Sequence, residues 1–452
     1  MNNRMSGWHK YKNVRLWLTL LTCWFGADAM GQWSYTDLSA FRYYMNATRH
    51  GDSLFFVGGG SKGKTAQKTI FVYNTRSQKW EDTMTMKHAR YFPFLVSGDS
   101  ALYIAGGLTI DYHPVHGFRD VEMYNYHSKT WSVHTVKDSM LWVAATKAGS
   151  KVMFGAPTLA FSTNSISTCS DVVYMYDERE KTWTTEHLSE VRCAESAVSN
   201  DTIALIIGGI RDSLGANHSN RIDIYNSLTD EWTVDSLSAP RITVGGVYVN
   251  GKFYLAGGWG NDNSTTDVID VYDGKSWSVM HLPKPMRLYY PQVIGDEIYF
   301  AAYVDANGKP GSSIPVYNTR TGSWSEIHSM YARSECASIT DGKRLYLAGG
   351  AYAKRSTSLV EIYEPEKSSV FELGHNAVGR VYPNPTNGTF RVSFTQAMNV
   401  DIIIHDPLGR ATQSMEVVDS RYVDLDLTGP VGVYLVEFRT DDAVEWVKVV
   451  KN

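Results

Sequence analysis

Two histidines stand at a spacing that could bind a metal ion. His113 and His116 form an H-x-x-H pair, but Pro114 between them predicts a loop rather than a helix that carries both rings on one face. No third ligand accompanies them, so a solvated loop is the favoured interpretation. The chain also lacks a Gly-rich phosphate loop, a G-x-S-x-G nucleophile elbow and a Cys pair at zinc spacing. The sequence therefore predicts no catalytic residue, no metal ligand and no cofactor.

Arginines that recur at regular intervals are the second pattern that could bind a ligand. A ring of guanidinium groups could bind a carboxylate or a charged sugar through paired hydrogen bonds. The same side chains could instead tie neighbouring structural units together through carbonyl and carboxylate groups, and this structural interpretation is favoured. Glu195 and Glu335 closely follow two of the arginines, and the series breaks near Trp142. Its members are Arg42, Arg90, Arg192, Arg241, Arg287 and Arg333.

The elements that would position these arginines repeat along the chain. An apolar strand that ends in two small residues occurs seven times, and a second strand that ends in Tyr follows each copy. In the first six copies a Trp follows, seven residues after the Tyr in five of them. A Gly pair allows close approach of the backbone, and the large aromatic rings fill the space between neighbouring units. The pairs are Gly58-Gly59, Gly106-Gly107, Gly155-Ala156, Gly208-Gly209, Gly257-Gly258, Ala301-Ala302 and Gly349-Gly350.

Each repeat has room for four short strands, joined by turns such as Asn250-Gly251 and Asp341-Gly342, as in one blade of a β-propeller. The recurring order of Arg, Gly-Gly, Tyr and Trp resembles the kelch-repeat family over residues 32–373. The resemblance implies an all-β, seven-bladed kelch-type propeller in which the Tyr and Trp residues are structural. These are Tyr73, Tyr124, Tyr176, Tyr225, Tyr272, Tyr317 and Tyr363, with Trp80, Trp131, Trp183, Trp232, Trp277 and Trp324.

The seventh repeat lacks its Trp, because Val370 stands at that position. Near the other end of the chain, Trp33 precedes Arg42 by the interval that separates Trp183 from Arg192. The sequence therefore predicts that an N-terminal strand containing Trp33 closes the ring and covers its edge strands. Closure by residues 368–373 is the alternative.

The connections on the same face as the arginines carry aromatic residues. Exposed aromatics among polar groups suit sugar stacking or a protein interface, although loops that only cover the propeller would have a similar composition. Together with five of the arginines they form the predicted ligand face. Its members are Arg90, Arg192, Arg241, Arg287, Arg333, Tyr112, Trp259, Tyr289, Tyr303 and Tyr352.

The pattern changes after residue 373, where a linker at 374–380 leads into a module at 381–452. Alternating apolar positions with Gly and Asn turns predict a small antiparallel β-sandwich. The opening Tyr382-Pro383-Asn384-Pro385, the segment Asp406 to Arg410, the Gly-x-Tyr strand at Gly432 and the basic terminus at Lys451 resemble the C-terminal sorting domain of type IX secretion substrates. The resemblance implies recognition by the outer-membrane translocon, usually followed by removal of the domain.

The N-terminus has the basic stretch, short apolar run and small residues of a secretory signal peptide at 1–31. Three Cys remain after its removal, namely Cys169, Cys193 and Cys336. Buried thiols are the favoured interpretation, although a disulfide between Cys169 and Cys193 stays open. No stretch in the mature chain is long enough for a membrane-spanning helix.

The formal net charge is −4, with 43% hydrophobic and 20% charged residues, which argues against a nucleic-acid-binding protein. The favoured function is a binding module for a protein or glycan, delivered through the periplasm by type IX secretion to the cell surface or the medium. The alternative is a kelch-type carbohydrate-active enzyme such as a sugar mutarotase or oxidase. Convergence of an acid, a base and an Arg at the channel mouth would distinguish the two.

Overall fold

The computed structural model describes residues 32–61, 65–109, 115–158, 160–162, 165–166, 168–193, 195–211, 217–262, 264–288, 290–352, 355–365, 378–406, 410–440 and 444–452. The predicted leader at 1–31, most of the linker at 374–380, the alternative closing segment at 368–373, Tyr112, His113 and Tyr289 lie outside these residues. The chain forms two compact units that divide between Pro365 and Glu366. All secondary-structure elements assigned within the described ranges are β-strands.

In its described part, the first unit contains seven antiparallel sheets that follow the same path of four strands. Alternating and continuous runs of Val, Ile, Phe and Tyr form these strands, and Gly, Asn and Asp occupy the turns between them. Sheet 1 contains Asn46–His50, Ser53–Val57, Gln67–Asn74 and Lys79–Trp80, with Met84–Arg90 continuing its outer edge; sheet 2 contains Phe94–Ser97, Ala101–Ala105, Phe118–Asn125 and Trp131–Met140; sheet 3 contains Ala144–Ala148, Lys151–Gly155, Ser170–Asp177 and Thr182–Arg192.

The remaining four sheets follow the same path, and short ribbons accompany several of them. Sheet 4 contains Ser196–Ser199, Ile203–Ile207, Arg221–Asn226 and Glu231–Ser236; sheet 5 contains Gly245–Val249, Lys252–Ala256, Val268–Tyr272 and Trp277–His281; sheet 6 contains Gln292–Ile294, Glu297–Tyr299, Ser313–Asn318 and Ser323–His328; sheet 7 contains Ala337–Thr340, Leu345–Ala348, Arg355–Glu364 and Gln32–Arg42, with Ala351–Tyr352 beside it. The ribbons pair Arg241–Ile242 with Trp259–Gly260, Met286–Leu288 with Tyr303–Asp305, and Ala160–Ser162 with both Val115–His116 and Ser165–Ile166.

The Tyr and Trp landmarks face each other across the third and fourth strands of a sheet. Tyr225 lies directly opposite Trp232, and the same pairing recurs in the other five complete repeats. In sheet 7 the partner of Tyr363 is Trp33, with their ring centroids 5.0 Å apart. The predicted pairing of the Trp33 strand with the strand that ends at Tyr363 is therefore confirmed.

The core of the first unit lies between consecutive sheets rather than inside one layer. Seven apolar clusters of the described residues each combine side chains from two neighbouring sheets, including one between sheets 7 and 1 that contains Tyr346 and Phe56. The first strand of each sheet contacts the first strand of the next, and that of sheet 7 contacts that of sheet 1. The residues just before each first strand therefore gather around a common centre.

The second unit has one antiparallel sheet built around the long strand Thr389–His405. Ala411–Asp426 pairs along the whole length of this strand at one edge. At the other edge, Val378–Tyr382 pairs with the first half and Gly432–Arg439 pairs with the second half. The last strand, Val444–Lys451, pairs with Gly432–Arg439. A core of its own, including Phe390, Ile402, Tyr434 and Phe438, stabilises this unit.

Candidate functional site

Four of the predicted arginines are buried in ion pairs with carboxylates of the following sheet. Arg90 stands at the end of sheet 1, and its Nη2 donates to Glu122 of sheet 2 at 2.9 Å. The Gly106 carbonyl accepts a second hydrogen bond from Arg90, at 2.6 Å. At most 2% of any of these four arginine side chains is exposed. The equivalent pairs are Arg192 with Asp223, Arg241 with Asp270 and Arg333 with Glu361.

Burial lowers the pKa of Arg90 and of Arg241, although the adjacent carboxylate opposes this shift in each case. Carbonyl groups at the end of the second strand accept further hydrogen bonds from Arg241 and Arg333. These groups act as joints between sheets, which agrees with the structural interpretation of the series. A sequence signal for the joints exists, because each acidic partner stands two residues before the landmark Tyr of its repeat.

The position two residues before the landmark Tyr is not acidic in three repeats, and the environment of the arginine position differs there. Phe71 stands at the acidic position of sheet 1, and the guanidinium of Arg42 lies 5.2 Å from its ring centroid. In sheet 3, Tyr174 replaces the acid and the buried Met140 replaces the arginine. In sheet 6 the position is Pro315, and Arg287 lies over the ring of Trp259 at 5.1 Å.

The predicted aromatic residues occupy different environments. Trp259 is half-buried and contacts Arg287, so two predicted members of the ligand face meet. Tyr303 is 2% exposed and donates its hydroxyl to the Ser313 carbonyl at 2.8 Å, so its ring belongs to the core. Tyr352 lies on the short strand beside sheet 7.

A cluster of aromatic side chains that the sequence pattern did not single out lies where the first strands converge. Tyr44, Phe92 and Trp142 each stand just before the first strand of sheets 1, 2 and 3, and all three are half-buried. The ring centroids of Tyr44 and Phe92 are 4.1 Å apart, and those of Phe92 and Trp142 are 6.2 Å apart. The Phe92 amide donates to the Tyr44 carbonyl at 3.0 Å, so the backbone also links successive sheets here.

Glu335 extends this arrangement from sheet 7. The Tyr44 amide donates to the Glu335 carbonyl at 2.8 Å, and the Tyr44 hydroxyl donates to the Glu335 carboxylate. Burial raises the pKa of Glu335, while the Tyr44 hydrogen bond opposes the shift. Tyr44, Phe92 and Glu335 adopt positive φ angles of 57°, 48° and 61°. Bulky residues rarely adopt this conformation. Thr243, at the equivalent position before sheet 5, also has a positive φ, of 54°, so the conformation recurs in the turn before the first strand.

We name Tyr44, Phe92, Trp142 and Glu335 the mouth cluster. It combines aromatic rings in tilted contact with a carboxylate that accepts a hydrogen bond, which is the composition of many ligand sites. A sequence signal was present, since an aromatic residue follows two positions after Arg42, after Arg90 and after Met140, the residue that replaces the third arginine.

The carboxyl group of Glu195 is buried directly before Ser196–Ser199, the first strand of sheet 4. Burial raises the pKa of Glu195 to about 8, and neither carboxyl oxygen has a hydrogen-bond partner among the described residues. The nearest cationic group is Arg192, whose Nε lies 3.9 Å from Glu195 Oε1. Other sheets carry apolar residues at this position, such as Met45 and Val244.

The cysteine prediction is corrected in part. Cys169 and Cys193 form a disulfide across 24 residues of sequence, where buried thiols had been favoured. The pairing brings the segment before the third strand of sheet 3 against the end of its fourth strand. Spacing could not establish this contact, because the two residues meet only through the sheet. Cys336 is a free and buried thiol, as predicted.

A polar cleft of about 700 Å³ lies where the hairpins of sheets 2, 3 and 4 meet. Its charged groups mostly satisfy one another: Lys147 pairs with Asp99, and Glu178 accepts hydrogen bonds from the amides of Asp99 and Ser100. Little hydrogen-bonding capacity of these groups is left for a ligand.

Known proteins are similar in sequence to this chain, and a family model matches its C-terminal part. Residues 380–452 match the family described as the secretion system C-terminal sorting domain. The chain is 25% identical over 255 residues to Kelch-like protein 25 of Xenopus tropicalis, an alignment that covers 54% of this chain and 41% of that protein. It is 24% identical over 265 residues to Kelch-like protein 21 of Mus musculus, covering 56% of this chain and 40% of the relative.

These two alignments span about two fifths of the kelch-like relatives' own length. Among solved structures, a fungal alcohol oxidase in complex with copper is similar at a TM-score of 0.55 and 12% identity, covering 93% of this chain and 100% of that one. At this identity the likeness concerns the fold alone.

The fold is all-β and of the β-propeller type, and the chain is similar in sequence to kelch-like proteins. More particularly, it carries at residues 380–452 a C-terminal sorting domain, which indicates sorting by type IX secretion. Within the described ranges, no helix is long and apolar enough to span a membrane.

Proposed function

We propose that the chain is an exported binding module for a glycan or a protein, taken through the periplasm by a cleavable leader and then by type IX secretion to the cell surface or the medium. The mouth cluster is the observation that carries the binding role. It presents half-buried aromatic rings beside a carboxylate at one end of the converging first strands. A binding module needs this type of rigid, pre-positioned surface.

The scaffold in this proposal is a seven-bladed propeller at residues 32–373, followed by a linker and a sorting domain with a β-sandwich fold. Seven sheets of one strand order, apolar clusters between successive sheets and contact between sheets 7 and 1 support the ring. The pairing of Trp33 with Tyr363 supports closure by the N-terminal strand. In a closed propeller ring, only short and protected sheet edges remain for pairing with another chain.

The ligand face in this proposal is centred on the mouth cluster and extends to Trp259 and Arg287. Aromatic rings contribute large contact areas to ligands, and Glu335 accepts hydrogen bonds from hydroxyl or amide groups. The contact of Arg287 with Trp259 at 5.1 Å offers a second aromatic surface with a fixed positive charge. Tyr112, Tyr289 and Tyr352 remain proposed members of this face. Buried ion pairs stabilise the sheets that carry this face; their arginines are Arg90, Arg192, Arg241 and Arg333.

A glycan and surface-protein binding screen with the purified mature protein tests the binding role. For any ligand found, Trp142→Ala should weaken binding roughly tenfold or more, as expected for an aromatic anchor. Tyr248→Ala is the matched control, because Tyr248 is 38% exposed on a hairpin of sheet 5. Unchanged affinity in Trp142→Ala, Glu335→Gln and Trp259→Ala would place binding on another surface.

Truncation after Leu373 tests the sorting role. The truncated protein should fold and accumulate in the periplasm of a bacterium with type IX secretion. Arrival of the truncated protein at the cell surface at the level of the full chain would contradict the role of residues 380–452.

A further inference from the structure

The last two strands of the sorting domain form a hairpin with one buried and one exposed face. Tyr434, Val436 and Phe438 have no exposed surface and belong to the core, together with Val449 from the last strand. Leu435 lies opposite Lys448, and Val433 lies opposite Val450. Side chains alternate along a strand, so these two pairs share the outer face.

The outer face of this hairpin is more apolar than a solvent-exposed sheet requires. Val431, Val433 and Leu435 follow each other at every second position, and 68%, 37% and 42% of their surfaces are exposed. Lys448 is exposed beside Leu435 and supplies the positive charge at this end of the face. Further along the same face, Glu437 and Arg439 form an ion pair of 2.7 Å. We name Val431, Val433, Leu435 and Lys448 the terminal-hairpin face. Apolar side chains that line up on a small domain mark a site of interaction.

The Pro-Asn-Pro-Thr segment holds the last strand from its outer edge. Asn384 donates its side-chain amide to the Lys448 carbonyl at 2.8 Å and accepts from the Val450 amide at 2.9 Å. The Thr386 amide donates to the Val450 carbonyl at 2.8 Å, and the Asn452 amide donates to the Thr386 carbonyl at 2.9 Å. The opening motif of the domain therefore fixes the strand that carries Lys448.

The basic terminus is also used inside the domain. The Lys451 ammonium group donates to the carbonyls of Leu427 and Gly429 at 2.9 and 2.7 Å. These carbonyls belong to the loop that leads into Val431. Motifs that lie far apart in the sequence thus form one set of contacts, and its effect is to hold both strands of the terminal-hairpin face in place.

We propose that the terminal-hairpin face is the surface by which the sorting domain docks on the secretion machinery, with Asn384 as a positioning residue. The partner surface that fits is apolar and carries a carboxylate opposite Lys448, because an exposed ammonium beside Leu435 favours an opposite charge. The inference rests on the proposed sorting role and names the surface that carries it. The Pro-Asn-Pro-Thr segment then acts through the strand it holds and is not itself the docking surface.

Export of the full chain in a bacterium with type IX secretion tests the proposal. The double variant Val433→Ser/Leu435→Ser should reduce the exported fraction about tenfold, the loss expected when central apolar contacts are removed from an interface. Lys448→Glu should reduce it as well, because the charge is reversed. Val418→Ser is the matched control, because Val418 is 63% exposed on another strand of the same domain, and it should be exported at the wild-type level. The melting temperature of each purified variant shows whether it folds.

Wild-type export of the folded double variant would overturn the proposal, as would an equal loss in Val418→Ser. Wild-type export of Lys448→Glu would overturn the charged part of the partner surface. A dimer of the purified protein that the double variant abolishes, with export unchanged, would assign the face to a second copy of the chain and overturn the proposal. If the chain truncated after Leu373 is exported normally, the sorting role itself fails, which is a different result.

Discussion

Arg90 and Glu122 form an ion pair of 2.9 Å in which neither side chain has exposed surface. The two residues belong to neighbouring sheets, and Glu122 also accepts hydrogen bonds from the amides of Lys87 and His88. One carboxylate therefore neutralises the guanidinium charge and accepts hydrogen bonds from the backbone that leads to Arg90, while the carbonyls of Gly106 and Asp120 accept the remaining guanidinium hydrogen bonds. Removal of one partner from such a pair leaves a buried charge without compensation.

Arg90→Met should lower the free energy of unfolding by about 3–5 kcal/mol for this reason. Addition of Glu122→Gln should recover part of the loss, because the remaining negative charge is removed. Sheet 3 already uses an uncharged version of this joint with Met140 and Tyr174. Denaturant unfolding of the two variants measures the effect, and a loss below about 1 kcal/mol in Arg90→Met would contradict the assignment.

Trp33→Ala should destabilise the first unit by on the order of 2–4 kcal/mol, because the indole packs on Tyr363 and joins the cluster between sheets 6 and 7. Tyr35→Ala is the control, since Tyr35 lies on the same strand with 46% of its surface exposed. It should change the melting temperature little. Equal effects of the two substitutions would mean that the strand does not contribute through Trp33.

Glu195 should make the stability of the first unit depend on pH. Its pKa of about 8 in the folded protein lies above the ordinary value of about 4.3, so the folded state binds the proton more tightly than the unfolded state. The contribution of Glu195 to stability should therefore fall as the pH rises from about 4 to about 8 and stay constant above that.

Glu195→Gln removes the ionisable group and keeps the shape of the side chain. The variant should be more stable than the wild type at alkaline pH, by on the order of a few kcal/mol, and the difference should shrink towards about pH 4. Denaturant unfolding at a series of pH values measures this difference. A difference that does not change with pH would show that Glu195 ionises normally in the folded protein.

Asn384→Ala should loosen the terminal strand of the sorting domain. It removes two hydrogen bonds, to the Lys448 carbonyl and from the Val450 amide, at a cost of about 1–2 kcal/mol to that unit. Hydrogen exchange should increase at residues 448–452 and remain unchanged in the first unit. The control is Asn399→Ala, because Asn399 accepts from the Asp419 amide at an exposed irregularity in the pairing of Thr389–His405 with Ala411–Asp426. Unaltered exchange at residues 448–452 would contradict the positioning role of Asn384.

The repeat pattern predicted the all-β fold, the partner of Trp33 and the structural role of the Tyr and Trp residues. Such a pattern can be recognised in the sequence because the same local arrangement recurs in each repeat, and a residue that is unclear in one copy can be assigned from the others. The arginine series was readable in the same way, and its acidic partners stand at a constant distance from the landmark Tyr. Glu122, Asp223, Asp270 and Glu361 were nevertheless missed, because each meets an arginine of the preceding repeat, 28 to 32 residues earlier in the sequence.

Contacts between different repeats were decided only by the tertiary structure. Tyr44, Phe92 and Trp142 are ordinary aromatic residues in three separate segments, and they become one cluster because the first strands of successive sheets converge. Burial of Tyr303 and the disulfide of Cys169 with Cys193 depend on packing in the same way. Local periodicity determined which secondary structure each segment of this protein forms. The arrangement of the sheets determined which side chains meet, because contacts between repeats depend on distances in space that an amino-acid sequence does not contain.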